Sequence, residues 1–115
     1  MSNPIKIAVD AMGGENSPYK VIQGIKIHNT QSQNIFYNIF GNEKLIKPLI
    51  NQIKLPNNNY KIIHTENLIE DKDSPLSAAK RGKDTSMWLA IESLKNQESD
   101  AIVSAGNAGA LFVIA

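Results

Sequence analysis

The chain has 115 residues, of which 42% are hydrophobic and 20% are charged, and its formal net charge is +1. This length suits one domain with its own core, and the near-neutral charge argues against nucleic acid or an acidic membrane surface as the default partner. The chain has no cysteine, no signal-peptide pattern and no apolar run near the ~20 residues of a membrane span, so we expect a cytoplasmic protein without disulfides or thiolate metal sites.

Strand and helix patterns alternate along the chain. Short β-branched or aromatic runs predict four strands, at residues 5–9, 35–40, 60–63 and 101–103. Apolar residues at helical spacing, with Ser-Pro cap signatures at 17–18 and 74–75, predict helices over 17–28, 43–53, 74–82 and 85–97 and a further one from Leu111. Pro48 falls inside the second helix, where it should kink the helix or delay its start.

This alternation predicts an α/β fold in which a parallel sheet is covered by helices on both faces. Ligands of such folds lie at the carboxyl ends of the strands, beside a topological switch point. Glycine-rich loops follow two of the four strands, at residues 10–14 and 104–109. If the first and fourth strands are neighbours, both loops face one crevice.

The loop at 104–109 has the composition of an anion site. Its small residues let a ligand approach backbone N–H groups at the start of a helix, and phosphate suits such a point well. A tight strand-to-helix turn without a ligand explains the same residues. Asn107 could reach the ligand with its amide, although capping the helix is its simpler role.

Three polar residues at the first loop have simple structural interpretations. Asp10 ends a buried strand, where a carboxylate more often ties down a loop by accepting backbone N–H bonds than acts in catalysis. It would repel phosphate as a direct ligand, so positioning a donor or a hydroxyl suits it better. Asn16 and Ser17 are most simply helix-capping residues.

The remaining polar groups give weaker signals. Lys80, Arg81 and Lys83 could meet a phosphate or an acidic carrier protein, but a solvated basic face explains them as well. His28 and His64 lack Cys, Asp or Glu at ligand spacing, so we predict no metal site and no cofactor. The P-loop and α/β-hydrolase motifs do not occur in the sequence.

Two separated motifs carry a resemblance to a known family. Ile7-Ala-Val-Asp-Ala-Met-Gly-Gly-Glu-Asn-Ser-Pro18 resembles the N-terminal signature of the bacterial phosphate acyltransferases of phospholipid synthesis, the PlsX family. Ala101-Ile-Val-Ser-Ala-Gly-Asn-Ala-Gly-Ala-Leu111 resembles the second signature of that family, and residues 81–94 are similar to its intervening helix. Glu15 stands where the family usually has aspartate, and Ala108 stands where it usually has threonine.

The resemblance implies a fold and a reaction. The fold would be Rossmann-like and similar to those of isopropylmalate dehydrogenase and phosphotransacetylase, with residues 1–115 as the N-terminal portion of a larger catalytic domain. The reaction would move an acyl group from acyl carrier protein to inorganic phosphate, giving acyl phosphate for phosphatidic acid synthesis. The implied partners are acyl carrier protein, the membrane acyltransferase that consumes acyl phosphate, and a second copy in a homodimer at the membrane surface.

The resemblance implies that the substrate-binding residues come from both motifs. It requires no nucleophilic side chain, because phosphate itself attacks the thioester. The expected phosphate-binding set is Asp10, Gly13, Gly14, Asn16, Ser104, Gly106, Asn107 and Gly109. Two other functions compete with this one. The chain could be an inactive truncated or split-gene fragment, since it ends at Ala115 inside a predicted helix, or it could be a phosphate- or nucleotide-binding module of another doubly wound fold.

Overall fold

The structure is a computed structural model that describes residues 4–31, 34–66 and 85–104. Within these ranges four strands and three α-helices alternate, together with one short 3₁₀ turn at Asn57–Asn59. In chain order the elements are β1 (Ile5–Asp10), α1 (Tyr19–Gln31), β2 (Ile35–Gly41), α2 (Glu43–Ile53), β3 (Tyr60–His64), α3 (Ser86–Lys95) and β4 (Ala101–Ser104).

The four strands form one parallel sheet in the order β3-β2-β1-β4. The chain moves from β1 through β2 to β3 in one direction, and then crosses back to place β4 on the free side of β1. This change of direction puts a topological switch point between β1 and β4, which is where Rossmann-like folds bind ligands. The predicted α/β class is therefore confirmed, and the condition under which both glycine-rich loops would face one crevice, that the first and fourth strands are neighbours, is met.

The side chains of β1 alternate between two cores, as the period of a strand requires. Val9 packs with residues of α1 and α2, including Ile22 and Ile46, on one face of the sheet. Ala8 packs with Ala90 of α3 on the other face. Residues 8–10 of β1 are therefore buried, and Ala8 and Val9 contribute to the cores on opposite faces of the sheet, whereas the strand is exposed at its start.

The first helix differs from the prediction at both ends, and it continues to Gln31, beyond the predicted end at residue 28. It begins at Tyr19 and not at the predicted Ser17-Pro18 cap, and the Ser17 hydroxyl donates to the carbonyl oxygen of Gly13. Pro48 does not delay the second helix, which starts at Glu43 and continues to Ile53.

Two side chains accept hydrogen bonds from backbone N–H groups at the N-terminus of α2, which supports its start at Glu43. Asn42 Oδ1 accepts a hydrogen bond from Lys44 N at 3.0 Å, and His64 Nδ1 accepts one from Glu43 N at 3.0 Å. The second contact joins the end of β3 to the start of α2, so His64 has a structural partner that spacing alone did not indicate.

Several predictions concern residues outside the described ranges. They are the helix at 74–82, the basic group of Lys80, Arg81 and Lys83, and the helix expected from Leu111. Among the residues that are described, no helix is long and apolar enough to cross a membrane.

Candidate functional site

The candidate site lies at the carboxyl ends of β1 and β4. These strands pair in register, with Asp10 opposite Ser104, the last residue of each strand. The loop at 12–14 leaves the sheet from β1, and the second glycine-rich segment follows β4. We call the space at these two strand ends the β1–β4 crevice.

Asp10 is the centre of the crevice, and it is 1% exposed. Its Oδ1 accepts hydrogen bonds from Ser86 Oγ at 2.6 Å and from Met12 N at 3.2 Å. Its Oδ2 accepts a hydrogen bond from Ser104 Oγ at 2.8 Å. One carboxylate thus connects β1 to the following loop, to the first turn of α3 and to the end of β4.

This arrangement confirms the structural part of the prediction for Asp10. The carboxylate accepts a loop N–H and orients two hydroxyls, as expected of a residue that positions other groups. Both of its oxygens are occupied by donors from the protein, so a phosphate ion would meet the groups that Asp10 holds and not a bare carboxylate.

The loop after β1 contains two residues with positive φ. Gly13 is buried, and Gly14 has a φ of 87°, a value that glycine adopts far more readily than other residues. Asn16 also has a positive φ, 62°, and its carbonyl oxygen accepts a hydrogen bond from Lys20 N. Gly13, Gly14 and Asn16 therefore form a tight turn between the crevice and α1, which begins at Tyr19.

Ser86 also belongs to the site, although it is not among the predicted site residues. It is the first residue of α3, directly after the N-cap Thr85, whose side-chain oxygen accepts a hydrogen bond from Trp88 N. A signal was present in the sequence, because Ser86, Ala90 and Ser93 are small residues at helical spacing and all three are buried. Such a stripe indicates close packing of a helix on a sheet, and the first of these hydroxyls reaches Asp10.

Five of the eight predicted phosphate-binding residues lie in the described ranges, and all five belong to this region. Asp10 and Ser104 are in direct contact, and the loop residues follow Asp10 in the chain. Gly106, Asn107 and Gly109 lie outside the described residues, so their contribution stays a prediction.

The two histidines make hydrogen bonds away from the crevice. His28 Nδ1 lies 2.8 Å from Tyr37 Oη, and the two rings meet edge to face. Tyr37 is 2% exposed, and this burial raises the pKa of its phenol above the ordinary value of 10.0. Within the described part of the chain no three His, Cys, Asp or Glu side chains are grouped as a metal would require.

Comparison with known proteins identifies relatives of the whole chain. Residues 5–115 match the model of the family described as fatty acid synthesis protein. A protein of Pelagibacter ubique named phosphate acyltransferase is 58% identical over 114 residues, which are 99% of this chain and 34% of the relative.

Two further relatives carry the same name. The Enterococcus faecalis protein is 44% identical over 108 residues, 94% of this chain and 31% of the relative. The Azorhizobium caulinodans protein is 38% identical over 116 residues, 100% of this chain and 33% of the relative. The chain therefore spans about a third of the length of the curated relatives that it matches.

Proposed function

Since the chain belongs to the fatty acid synthesis protein family, and its relatives are named phosphate acyltransferase, we propose that it supplies the phosphate-binding part of such an enzyme. The enzyme transfers an acyl group from acyl carrier protein to inorganic phosphate, and the acyl phosphate enters phospholipid synthesis. The observation that carries the proposal is the contact between Asp10 and Ser104, which brings the starts of both motif loops to one point.

Phosphate binds through backbone N–H groups in this proposal. The Ser104 hydroxyl gives its single proton to Asp10, so the donors that face phosphate come from the turn at 13–16 and from the loop that contains Gly106, Asn107 and Gly109. Amide donors fixed in this way stabilise an anion without a cationic side chain. Asp10 acts as a positioning residue that holds the starts of both loops in place.

The reaction requires that phosphate be oriented against the thioester, and it requires no nucleophilic side chain. A phosphate oxygen attacks the thioester carbonyl carbon, a C–O bond forms, and the C–S bond breaks. The carrier leaves as a thiolate that takes up a proton, and the product is the mixed anhydride of the acyl group and phosphate. Holding phosphate still beside the thioester supplies the main acceleration, because an intermolecular step becomes effectively intramolecular.

The proposal includes the partners that the resemblance implies. Acyl carrier protein delivers the substrate, and a membrane acyltransferase consumes the acyl phosphate. The working enzyme is a homodimer at the membrane surface.

A chimera tests this function. The chain replaces the segment that it matches in the Pelagibacter ubique relative, and acyl phosphate formation from acyl carrier protein and inorganic phosphate is measured. We expect turnover, and we expect Gly109→Val to raise the KM for phosphate by at least about tenfold, since a side chain there blocks close approach to the loop amides. Ala101→Val, which adds the same side chain at the exposed opposite end of β4, is the matched control.

Two results would contradict the proposal. A folded chimera that makes no acyl phosphate would remove the assignment of the reaction. If the chimera is active and the Gly109→Val and Ala101→Val variants have the same KM for phosphate, the loop at 104–109 is not the phosphate site.

A further inference from the structure

A cleft of about 490 Å³ lies between α1 and the sheet, along strands β1 and β4. Its floor is formed by Ile7 and Val9 of β1 and by Val103 of β4, the residue paired with Val9. Val21 and Ile25 of α1 form its wall. These five side chains make the middle of the cleft aliphatic, and Val103 is 55% exposed within it.

The cleft begins at the β1–β4 crevice. Asp10, Ser17 and Lys20 lie at one end, together with Glu15, and His28 and Tyr37 lie at the other end. Because α1 runs antiparallel to β1, its residues from Lys20 to His28 extend along the cleft for about 12 Å at the helical rise per residue. The charged groups are at the end near the crevice, and the aliphatic groups follow.

Gly24 leaves one exposed position of α1 without a side chain along the cleft. It lies in the middle of α1 and lines the cleft, and a Cβ added there would meet nothing within 4 Å. Glycine is among the least favourable residues in a helix interior, and here no neighbouring atom in the described structure requires it. Its effect is to leave the helix backbone open to close approach from the cleft.

We propose that the α1 cleft binds the hydrocarbon chain of the acyl substrate, a step that rests on the proposed function. An acyl chain needs an elongated aliphatic surface and no hydrogen bonds, which this lining offers. Its carboxyl end would lie at the crevice, where phosphate attacks the thioester. The ammonium of Lys20 at that end suits the negative charge of the acyl phosphate product, and Glu15 keeps the entrance polar.

The test uses a substitution that fills the cleft without disturbing the fold. Gly24→Leu places a side chain in open space and replaces a poor helix former by a good one, so the thermal midpoint should not fall. Lys26→Leu introduces the same side chain at an exposed position of α1 and serves as the control. The probe is a photoactivatable palmitate analogue, crosslinked to the 115-residue chain and located by mass spectrometry.

We expect the label on residues of α1 and β4 that line the cleft, and we expect Gly24→Leu to weaken probe binding by about tenfold or more, as overfilling an apolar site does. Lys26→Leu should bind like the unmodified chain. In the active chimera, Gly24→Leu should raise the KM for the acyl donor while the KM for phosphate stays unchanged.

Equal probe binding by Gly24→Leu and Lys26→Leu, or a label confined to other surfaces, would overturn the proposal and indicate that polypeptide covers the cleft. These results are separable from failure of the proposed function. An active chimera with no acyl site in the cleft refutes only this inference, and a labelled cleft in an inactive chimera refutes only the reaction.

Discussion

Replacing Asp10 by alanine should destabilise the fold far more than a typical substitution at a strand end. The side chain is buried, and its carboxylate accepts hydrogen bonds from Ser86, Ser104 and the loop amide of Met12. Asp10→Ala leaves these donors without their acceptor and removes the only side chain that joins all three segments in the described structure.

The magnitude follows from the two hydroxyl contacts. Their lengths of 2.6 and 2.8 Å are in or near the range of charge-assisted O–H···O bonds. Hydrogen bonds to charged groups contribute about 1.5–3 kcal/mol each, so losing two costs about 3–6 kcal/mol. A chain of this length has a total stability of about 6–17 kcal/mol at ordinary values per residue, so the loss is a large fraction of it.

Urea unfolding of the 115-residue chain, followed by far-UV circular dichroism, measures the difference. Asp100→Ala is the matched control, because Asp100 Oδ2 accepts a hydrogen bond from Lys6 N at the other end of the same strand pair but is exposed. The control should cost less than about 1 kcal/mol. Ser86→Ala should lower the free energy of unfolding by about 1.5–3 kcal/mol. Adding Ser86→Ala to Asp10→Ala should lower it little further, since both changes remove the same Ser86–Asp10 hydrogen bond. Stabilities of Asp10→Ala and Asp100→Ala within about 0.5 kcal/mol of each other would refute this account.

Two further predictions concern buried polar groups. Because burial raises the pKa of Tyr37, the unfolded chain loses the phenolic proton at a lower pH than the folded chain, and the free energy of unfolding should fall as pH rises above about 10. Tyr37→Phe removes this term, so its stability should decline less steeply in the same urea titrations, and identical slopes would contradict the prediction. Asn38 Oδ1 is buried without a hydrogen-bond partner among the described residues, while Asn38 Nδ2 donates to Ser99. An unsatisfied buried group costs about 1–3 kcal/mol, so Asn38→Val should be neutral or stabilising by up to about 2 kcal/mol, and a loss above 1 kcal/mol would show that the Ser99 contact outweighs the orphaned oxygen.

The sequence predicted the elements well because each has a local cause. Helical spacing of apolar residues placed α2 at its observed bounds, and the β-branched run at 5–9 placed β1, which ends one residue later at Asp10. The start of α1 was misplaced because a tight turn precedes it, with Gly14 and Asn16 at positive φ and the Ser17 hydroxyl donating to the Gly13 carbonyl oxygen. The Ser-Pro pattern alone does not indicate this turn.

The candidate site was predictable only in part. Glycines and a carboxylate at the ends of apolar runs indicated the right edge of the sheet, because parallel strands present their carboxyl ends together. The partners of Asp10 were beyond local patterns, since Ser86 is 76 residues away and Ser104 is 94 residues away. Sequence spacing assigned His28 to the end of a helix, but its contact with Tyr37 depends on how α1 lies over β2.

The order of the strands makes Asp10 the residue on which the crevice depends. β1 is bordered by β2 on one side and by β4 on the other, and α3 covers the face to which Ala8 points. Asp10 follows Ala8 by two residues, so its side chain emerges on that same face, at the end where α3 begins. From there the carboxylate can reach both the first turn of α3 and the neighbouring strand β4. A carboxylate at the end of β2 would be separated from Ser104 by β1, and one at Val9 would point into the opposite core. The Asp10 carboxylate therefore both stabilises the strand ends at the switch point and fixes the starts of the loops that follow them.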